Sequence, residues 1–156
     1  MSEAQLILVN ETTNCTLYTI KFLTNDVSEF ENFYNKFKDN LELNPDLMRI
    51  IGFLSKIADF GSLERYFRPE GKMNDNVVAL PVTRSKLRLY CLRLSDKILI
   101  LGNGGIKQSR TYNENDELSG YVITLQKFDK LIKEGITNGS VTITEKHINL
   151  SSTIEL

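Results

Sequence analysis

The chain has no tryptophan, one histidine, two cysteines and three prolines among its 156 residues. Each scarcity closes off a chemistry. With His147 as the sole histidine and only Cys15 and Cys91 to join it, the four ligands of a structural zinc site cannot be assembled. For the same reason neither a Ser-His nor a Cys-His catalytic pair takes shape around His147. Cys15 and Cys91 sit in apolar, strand-like contexts and read as buried, reduced thiols rather than a disulfide framework. No apolar run approaches the roughly 20 residues of a membrane-crossing helix. The opening residues, MSEAQLILVNETTN, lack a basic segment ahead of a long apolar stretch and cleavage site, so no signal peptide and a cytoplasmic setting are expected. Triplets such as Asn10-Glu11-Thr12 then carry no meaning as glycosylation sites. No metal, no cofactor and no membrane contact are expected.

What the chain does have is a partition of charge that its formal net charge of −1 conceals. Residues 1–64 hold 5 Lys/Arg against 10 Asp/Glu, residues 65–110 hold 10 against 3, and residues 111–156 hold 4 against 7. A basic block lies between two acidic ones, and such blocks bear on partners rather than on fold. Paired carboxylates occur only in acidic stretches such as NENDE, where solvation accounts for them.

The length fits one domain, 1–156, with a real core. Residues 1–15 read as a strand or a loose arm, and Cys15 to Leu23 as a strand rich in β-branched and aromatic residues. Ser28 and Glu31 make a capping box, and Phe30, Phe33, Tyr34, Phe37 and Leu41 follow as one apolar stripe of a helix. A second helix starts at Asn44 as N-cap with Pro45 in the first turn. It carries Leu47, Ile50, Ile51, Leu54, Ile57 and Ala58 on one side and ends at Gly61. The short connection predicts a helical hairpin. Residues 63–76 read as a loop, and VVALPV as a short strand with Pro81 at its end or edge.

Residues 87–94 and 97–101 form a predicted hairpin turning at Ser95-Asp96. That turn pairs Leu92 with Leu99, Tyr90 with Leu101 and Arg88 with Asn103. One face then carries Leu89, Cys91, Ile98 and Ile100; the other carries Leu92, Leu99 and Leu101 beside a wetter end of Arg88, Tyr90 and Asn103. Residues 106–120 read mainly as loop. A third helix is expected over about Leu125 to Ile136, capped by Thr124 and ended by Asn138-Gly139, followed by a strand-like SVTITEKHINL and a frayed end. The fold class is therefore α+β: an N-terminal helical hairpin packed on a small antiparallel sheet, with a C-terminal helix and strand extension.

The glycine cluster GNGGIKQS invites a phosphate-loop reading, but Lys107 stands apart from the glycines and no helix pattern follows it. A bulge or tight bend explains the glycines better. The basic block itself comprises Arg65, Arg68, Lys72, Arg84, Lys86, Arg88, Arg93, Lys97, Lys107 and Arg110, interleaved with Tyr66, Phe67, Tyr90 and Tyr112. Cations hold phosphates and aromatic faces stack on unpaired bases, so nucleic acid is one expectation. The other is a solvated face that pairs with the chain's own carboxylates or with an acidic partner.

The order strand, helix, helix, short strand and the hairpin KLRLYCLRLSDKILILGNGGIKQ resemble the RelE/ParE/HigB superfamily of small toxins from bacterial toxin–antitoxin modules. The HigB-type, phage-derived branch is the nearer likeness: there a "yRvyy" strand leads by a short turn into "ivlLhgfvKK". The resemblance spans about 17–110, a toxin-like core, and leaves 111–156 as a C-terminal extension. It implies a ribosome-dependent mRNA endonuclease neutralised by an antitoxin, a helix-turn-helix protein among the candidates. In that chemistry the RNA 2′-OH attacks the adjacent phosphate. By strand position the resemblance implies Arg88 as the phosphate stabiliser and Tyr90 as a stacking or proton-handling group. Arg84, Lys86, Arg93, Lys107 and Arg110 would grip the RNA. The "hgf" position reads Gly-Asn-Gly-Gly, so the histidine some members use is absent, and a lysine serves as base only where neighbouring cations lower its pKa. The alternative is a non-catalytic interaction module that docks an acidic partner through its basic strand.

Overall fold

The computed structural model describes residues 2–71, 75–107 and 116–156. Two strands come first, β1 (Glu3–Glu11) and β2 (Thr16–Phe22), then helices α1 (Glu29–Phe37) and α2 (Asn44–Phe60). A 3-10 turn at Glu64–Tyr66 leads to β3 (Arg68–Pro69), β4 (Val77–Leu80), β5 (Leu87–Ser95) and β6 (Ile98–Ile106). The chain ends with α3 (Asp116–Asn138), β7 (Val141–Ile143), β8 (Ile148–Leu150) and β9 (Ile154–Glu155).

The fold is mixed α+β, built on a seven-stranded sheet in the order β3-β4-β5-β6-β2-β1-β9, with β7 and β8 as a separate pair. All neighbours in the large sheet are antiparallel except β2 and β6, which run parallel with Leu17 beside Leu99 and Thr19 beside Leu101. The sheet is larger than the sequence suggests. Strands precede the helices, residues 68–69 form a strand rather than loop, and the expected frayed end instead pairs as β9 with Glu3 and Ala4 of β1.

The sheet is apolar on both faces. On one, Leu17, Leu89, Cys91, Leu99 and Leu101 pack with Phe33 and Phe37 of α1 and with Leu47, Ile50, Leu54 and Ile57 of α2. On the other, Ile20, Tyr90, Leu92, Ile98 and Ile100 pack with Leu118, Val122, Leu125, Phe128 and Ile132 of α3 and with Val141 and Ile148. Each large apolar side chain fully covered in this way contributes about 1.5–3 kcal/mol of transfer free energy. Helix α3 starts nine residues earlier than its densest stripe implies, so Thr124 lies inside it and caps nothing. Its polar early residues hide the first turns.

On the other face the start signal holds for α1 and fails by one residue for α2. Ser28 caps α1 by accepting from the Glu31 backbone N–H at 3.2 Å. The α1 stripe stops at Phe37, and Leu41 lies outside the helix at 95% exposure. Asn44 is the first residue of α2 rather than its cap, and Gly61 ends that helix at φ 101°. Gly139, at φ 88°, follows the last residue of α3.

The β5–β6 hairpin turns one residue later than expected, at Asp96-Lys97, with Ser95 opposite Ile98. Two irregularities follow, between Arg93 and Ser95 and between Leu89 and Cys91, so Cys91 faces Leu101, Leu92 faces Ile100 and Arg88 faces Gly105. A one-residue slip moves side chains to the opposite face. Ile98 and Ile100 therefore belong to the α3 side, and Leu99 and Leu101 to the α1–α2 side. The glycines serve this bulge. A Cβ on Gly104 would collide with the Arg88 carbonyl oxygen and lie 2.9 Å from its carbon. Only glycine lets the two backbones approach so closely.

Candidate phosphate-binding site

Folding does not gather the basic block onto one wall. Strand β5 separates it into two groups, because Arg88 and Arg93 are five residues, roughly 17 Å, apart along an extended chain. At the hairpin end, Arg93 donates from Nε to the Ser62 carbonyl at 2.7 Å and pairs with Asp96. Lys97 pairs with Glu145 at 3.1 Å. These cations are answered by the chain's own oxygens. Tyr66 and Phe67 are core residues, and Lys56 and Arg65 lie over the Tyr66 ring at 5.1 and 5.3 Å. Tyr90 is 1% exposed among the α3-side core residues, where its ring cannot stack on a base. Arg110, Lys72 and Tyr112 lie outside the described residues.

The opposite end of the sheet differs. Arg84 and Lys86 are exposed, and Lys86 pairs with Glu42 at 2.9 Å, which holds its ammonium above the usual lysine range. Arg88 is buried, at 3% exposure. Its Nη1 donates to Glu70 Oε1 at 3.1 Å, and Arg68 Nε approaches the same oxygen at 3.7 Å. Burial first, and then the Arg68 charge, push the Arg88 guanidinium below its ordinary pKa, with Glu70 opposing. Lys107 joins the same field. Its ammonium is lowered by desolvation, then by Arg88 and Arg68, with Glu70 raising it and Arg84 lowering it further. Arg68 and Arg88 thus share a single carboxylate, with the charges of Lys107 and Arg84 acting in the same field.

One donor in this cluster is unmet. Arg88 Nε is buried and has no hydrogen-bond partner among the described residues. A buried donor left without an acceptor costs about 1–3 kcal/mol, more when it belongs to a charged group. Such a defect beside an excess of cations is the condition in which an added anion is most stabilised. The short backbone-to-backbone approach at Gly104 brings Arg88 to this place, because a side chain there would push β6 away from β5; a Cβ at Gly105 would instead meet the Leu118 side chain of α3 at 3.0 Å.

Sequence reasoning misses Glu70, because residues 63–76 carry turn-forming residues and no alternation. Its position is set from both sides. The Glu70 N–H bonds the Val77 carbonyl at 3.1 Å, continuing the β3–β4 ladder. Helix α3 then fixes the connection between those strands. Asp129 accepts from Asn76 Nδ2 at 2.8 Å and Gln126 donates to Asp75 at 3.1 Å. A buried Asp129, at 2% exposure inside an apolar stripe, is the available signal for that clamp.

A second polar cluster flanks the first across β6. Lys36 Nζ donates to the Gly104 carbonyl at 2.7 Å and to the Tyr121 hydroxyl at 2.9 Å, and pairs with Glu117 at 3.3 Å. Beyond Leu101, β6 has no β2 partner in the ladder, so the Gly104 carbonyl is free to accept from a side chain. Burial lowers the Lys36 pKa and raises that of Tyr121. These groups satisfy one another and tie α1, β6 and α3 together.

Among the described residues no group of His, Cys, Asp and Glu is placed to hold a metal ion, and no helix is long and apolar enough to cross a membrane. Comparison with protein-family models, with curated proteins and with solved structures finds no match in any of the three.

Proposed function

We propose that the chain is a toxin-like protein of a bacterial toxin–antitoxin module, acting in the cytoplasm as a ribosome-dependent mRNA endonuclease that cleaves by 2′-OH attack. The observation that carries this reading is the half-satisfied Arg88 guanidinium in a cluster of four cations and one carboxylate. A phosphodiester supplies the negative charge that this cluster lacks. Arg84, Arg68 and Lys107 form the open mouth through which the RNA backbone meets that charge, while Arg88 supports it from behind. Preorganised cations stabilise the charge that builds on phosphorus without reorganising during the reaction. Among the described aromatics of the block Tyr66, Phe67 and Tyr90 are buried, so recognition at these residues runs through phosphate rather than through base stacking. Arg93 belongs to the far end of β5 and takes no part.

In this reading α1 and α2 are the helical hairpin of a toxin-like core over 17–110, and residues 111–156 are an addition whose helix braces the Glu70 segment. A helix-turn-helix antitoxin neutralises the protein by presenting carboxylates to the same mouth. Expression in bacteria is expected to arrest growth and leave cleaved mRNA, both lost in Arg68→Ala/Arg84→Ala. Arrest that persists unchanged in that double variant contradicts the site.

The alternative, a non-catalytic module docking an acidic partner, is favoured by the Lys86–Glu42 pair, a carboxylate already taken at the end of the basic strand. Strand β5 itself has β4 and β6 along its edges and apolar layers on its faces, so such a partner meets Arg84 and Lys86, just ahead of the strand, rather than the strand itself. Cleavage on ribosomes by the purified chain alone removes this alternative.

A further inference from the structure

We infer that the open edge of β1 is a dimerisation surface, on which a second copy of this chain adds its own β1 in antiparallel order, independently of the endonuclease reading. Among the described residues β9 pairs with only Glu3 and Ala4 on that edge, and no strand lies beside Gln5 to Glu11 there. The direction of each backbone group follows from the bonds on either side. On the outer side Ser2 exchanges bonds with Leu156, donating at 3.3 Å and accepting at 2.9 Å. On the β2 side the Glu3 carbonyl accepts from the Leu23 N–H at 3.0 Å. Alternation then turns the N–H and C=O of Leu6 and Leu8 outward, where no described residue bonds to them. Leu8 is 55% exposed and Val9 40%. An edge that leaves backbone groups and large apolar side chains open is a template for another strand.

The edge is complementary to itself. With a two-fold axis at Ile7, Leu6 of each copy stands opposite Leu8 of the other, and the outward groups of both residues bond across the axis. Paired residues share a face, so the leucines of the two copies meet on the α3 side. There a groove of about 460 Å³ runs along the edge, with Leu6, Leu8, Tyr18, Ile148 and Leu150 in its lining. Leu8 of the other copy fills it. The bulge between Leu8 and Asn10 bends the incoming strand away before it meets β9. Charge agrees with this register. Glu11 is answered within its own copy by Lys146 at 3.5 Å and His147 at 2.8 Å. Glu3 and Glu155, at the other end of the edge, pair with no cation among the described residues. The axis sets the Lys146 end of each copy against the Glu3 end of the other, cation toward uncompensated carboxylates.

The test reads oligomeric state and register on the full chain. Sedimentation equilibrium over about a hundredfold range of concentration, up to high micromolar, is expected to show monomer and dimer in exchange. Leu8→Lys puts a charge into the groove and is expected to raise the dissociation constant by about tenfold or more. Leu8→Pro removes an outward N–H and leaves the β2 ladder intact, a change that edge strands tolerate. It is expected to weaken the dimer as well, with an unchanged circular dichroism spectrum. At the axis the two Ile7 residues form a non-hydrogen-bonded pair with Cα atoms about 4.5 Å apart, within the roughly 4.4–6.8 Å that a disulfide spans. Ile7→Cys is therefore expected to cross-link two chains under mild oxidation, and Gln5→Cys is not. Cys15 and Cys91 are buried and stay out of the reaction. A dimer that persists unweakened in both Leu8 variants, or that cross-links through Gln5→Cys and not Ile7→Cys, overturns the proposal. A chain that stays monomeric throughout also overturns it and leaves the edge to a strand from a different protein.

Discussion

Replacing Gly104 with alanine adds one methyl group and is expected to be among the most damaging small changes available in this fold. The new Cβ would meet the Arg88 carbonyl oxygen and lie 2.9 Å from both the Arg88 carbon and the Leu89 Cα. These are backbone atoms of the neighbouring strand, so no rotamer change relieves the collision. The ladder must part locally, which forfeits one or two β5–β6 hydrogen bonds at about 0.5–1.5 kcal/mol each and adds overpacking strain of about 1–3 kcal/mol. A loss of about 2–5 kcal/mol follows, a large part of the 5–15 kcal/mol that holds a typical domain together. Gly120→Ala provides the opposite sign. That glycine is exposed in α3 and a Cβ there has nothing within 4 Å, so alanine is expected to stabilise by about 0.5–1 kcal/mol. Urea unfolding followed by circular dichroism reads both changes as shifts in midpoint. An unchanged midpoint for Gly104→Ala refutes the bulged β5–β6 register and, with it, the placement of Arg88.

Glu29 carries a pH effect of definite sign. Burial raises its pKa above the ordinary 4.5, against the opposing influences of Asn103 and Lys36. The folded state therefore binds more protons than the unfolded one just above pH 4.5, and stability from this group falls as pH rises through the folded value. Glu29→Gln is expected to be more stable than wild type at pH 7 and equal to it well below pH 4.5; a constant difference across that range contradicts the linkage. Cys15 and Cys91 are fully buried, and desolvation raises both thiols. An aromatic disulfide reagent is expected to label neither in the native protein at neutral pH and both in urea, whereas prompt native labelling would contradict their burial.

Much of the architecture is legible in the sequence because it depends on local chemistry. The Ser28 cap, the Phe33 and Phe37 stripe and the Leu47-to-Ile57 stripe each specify an element within a few residues of themselves. The sheet order is not legible. Placing β2 beside β6 in parallel joins Thr16 to Ile98 across 82 residues, and β9 reaches back to Glu3, pairings that no local pattern announces. The hairpin register fails for a different reason. Each strand reads as a regular alternation, but an extra residue on one side and then on the other reverses the faces, and only the close approach at Gly104 reveals it. At the candidate site, charge composition points to the basic third of the chain yet cannot divide it. Arg93 and Lys97 look like Arg84 and Lys86 in sequence, and only the length of β5 separates them. Glu70 looks like a loop acid until β3 pairs with β4 and carries it to Arg88.

The most direct measurement compares the two ends of β5 in one assay. Wild type, Arg68→Ala/Arg84→Ala and Arg93→Ala/Lys97→Ala are each added to a translation reaction, and mRNA cleavage is quantified by primer extension. Charge-assisted hydrogen bonds worth about 1.5–3 kcal/mol each correspond to roughly 10-fold or more for every such bond removed. The first double variant is expected to cleave at least 100-fold more slowly than wild type, and the second at a rate close to it. Equal loss from both ends, or loss only in the Arg93/Lys97 variant, contradicts a phosphate site around Glu70 and Arg88.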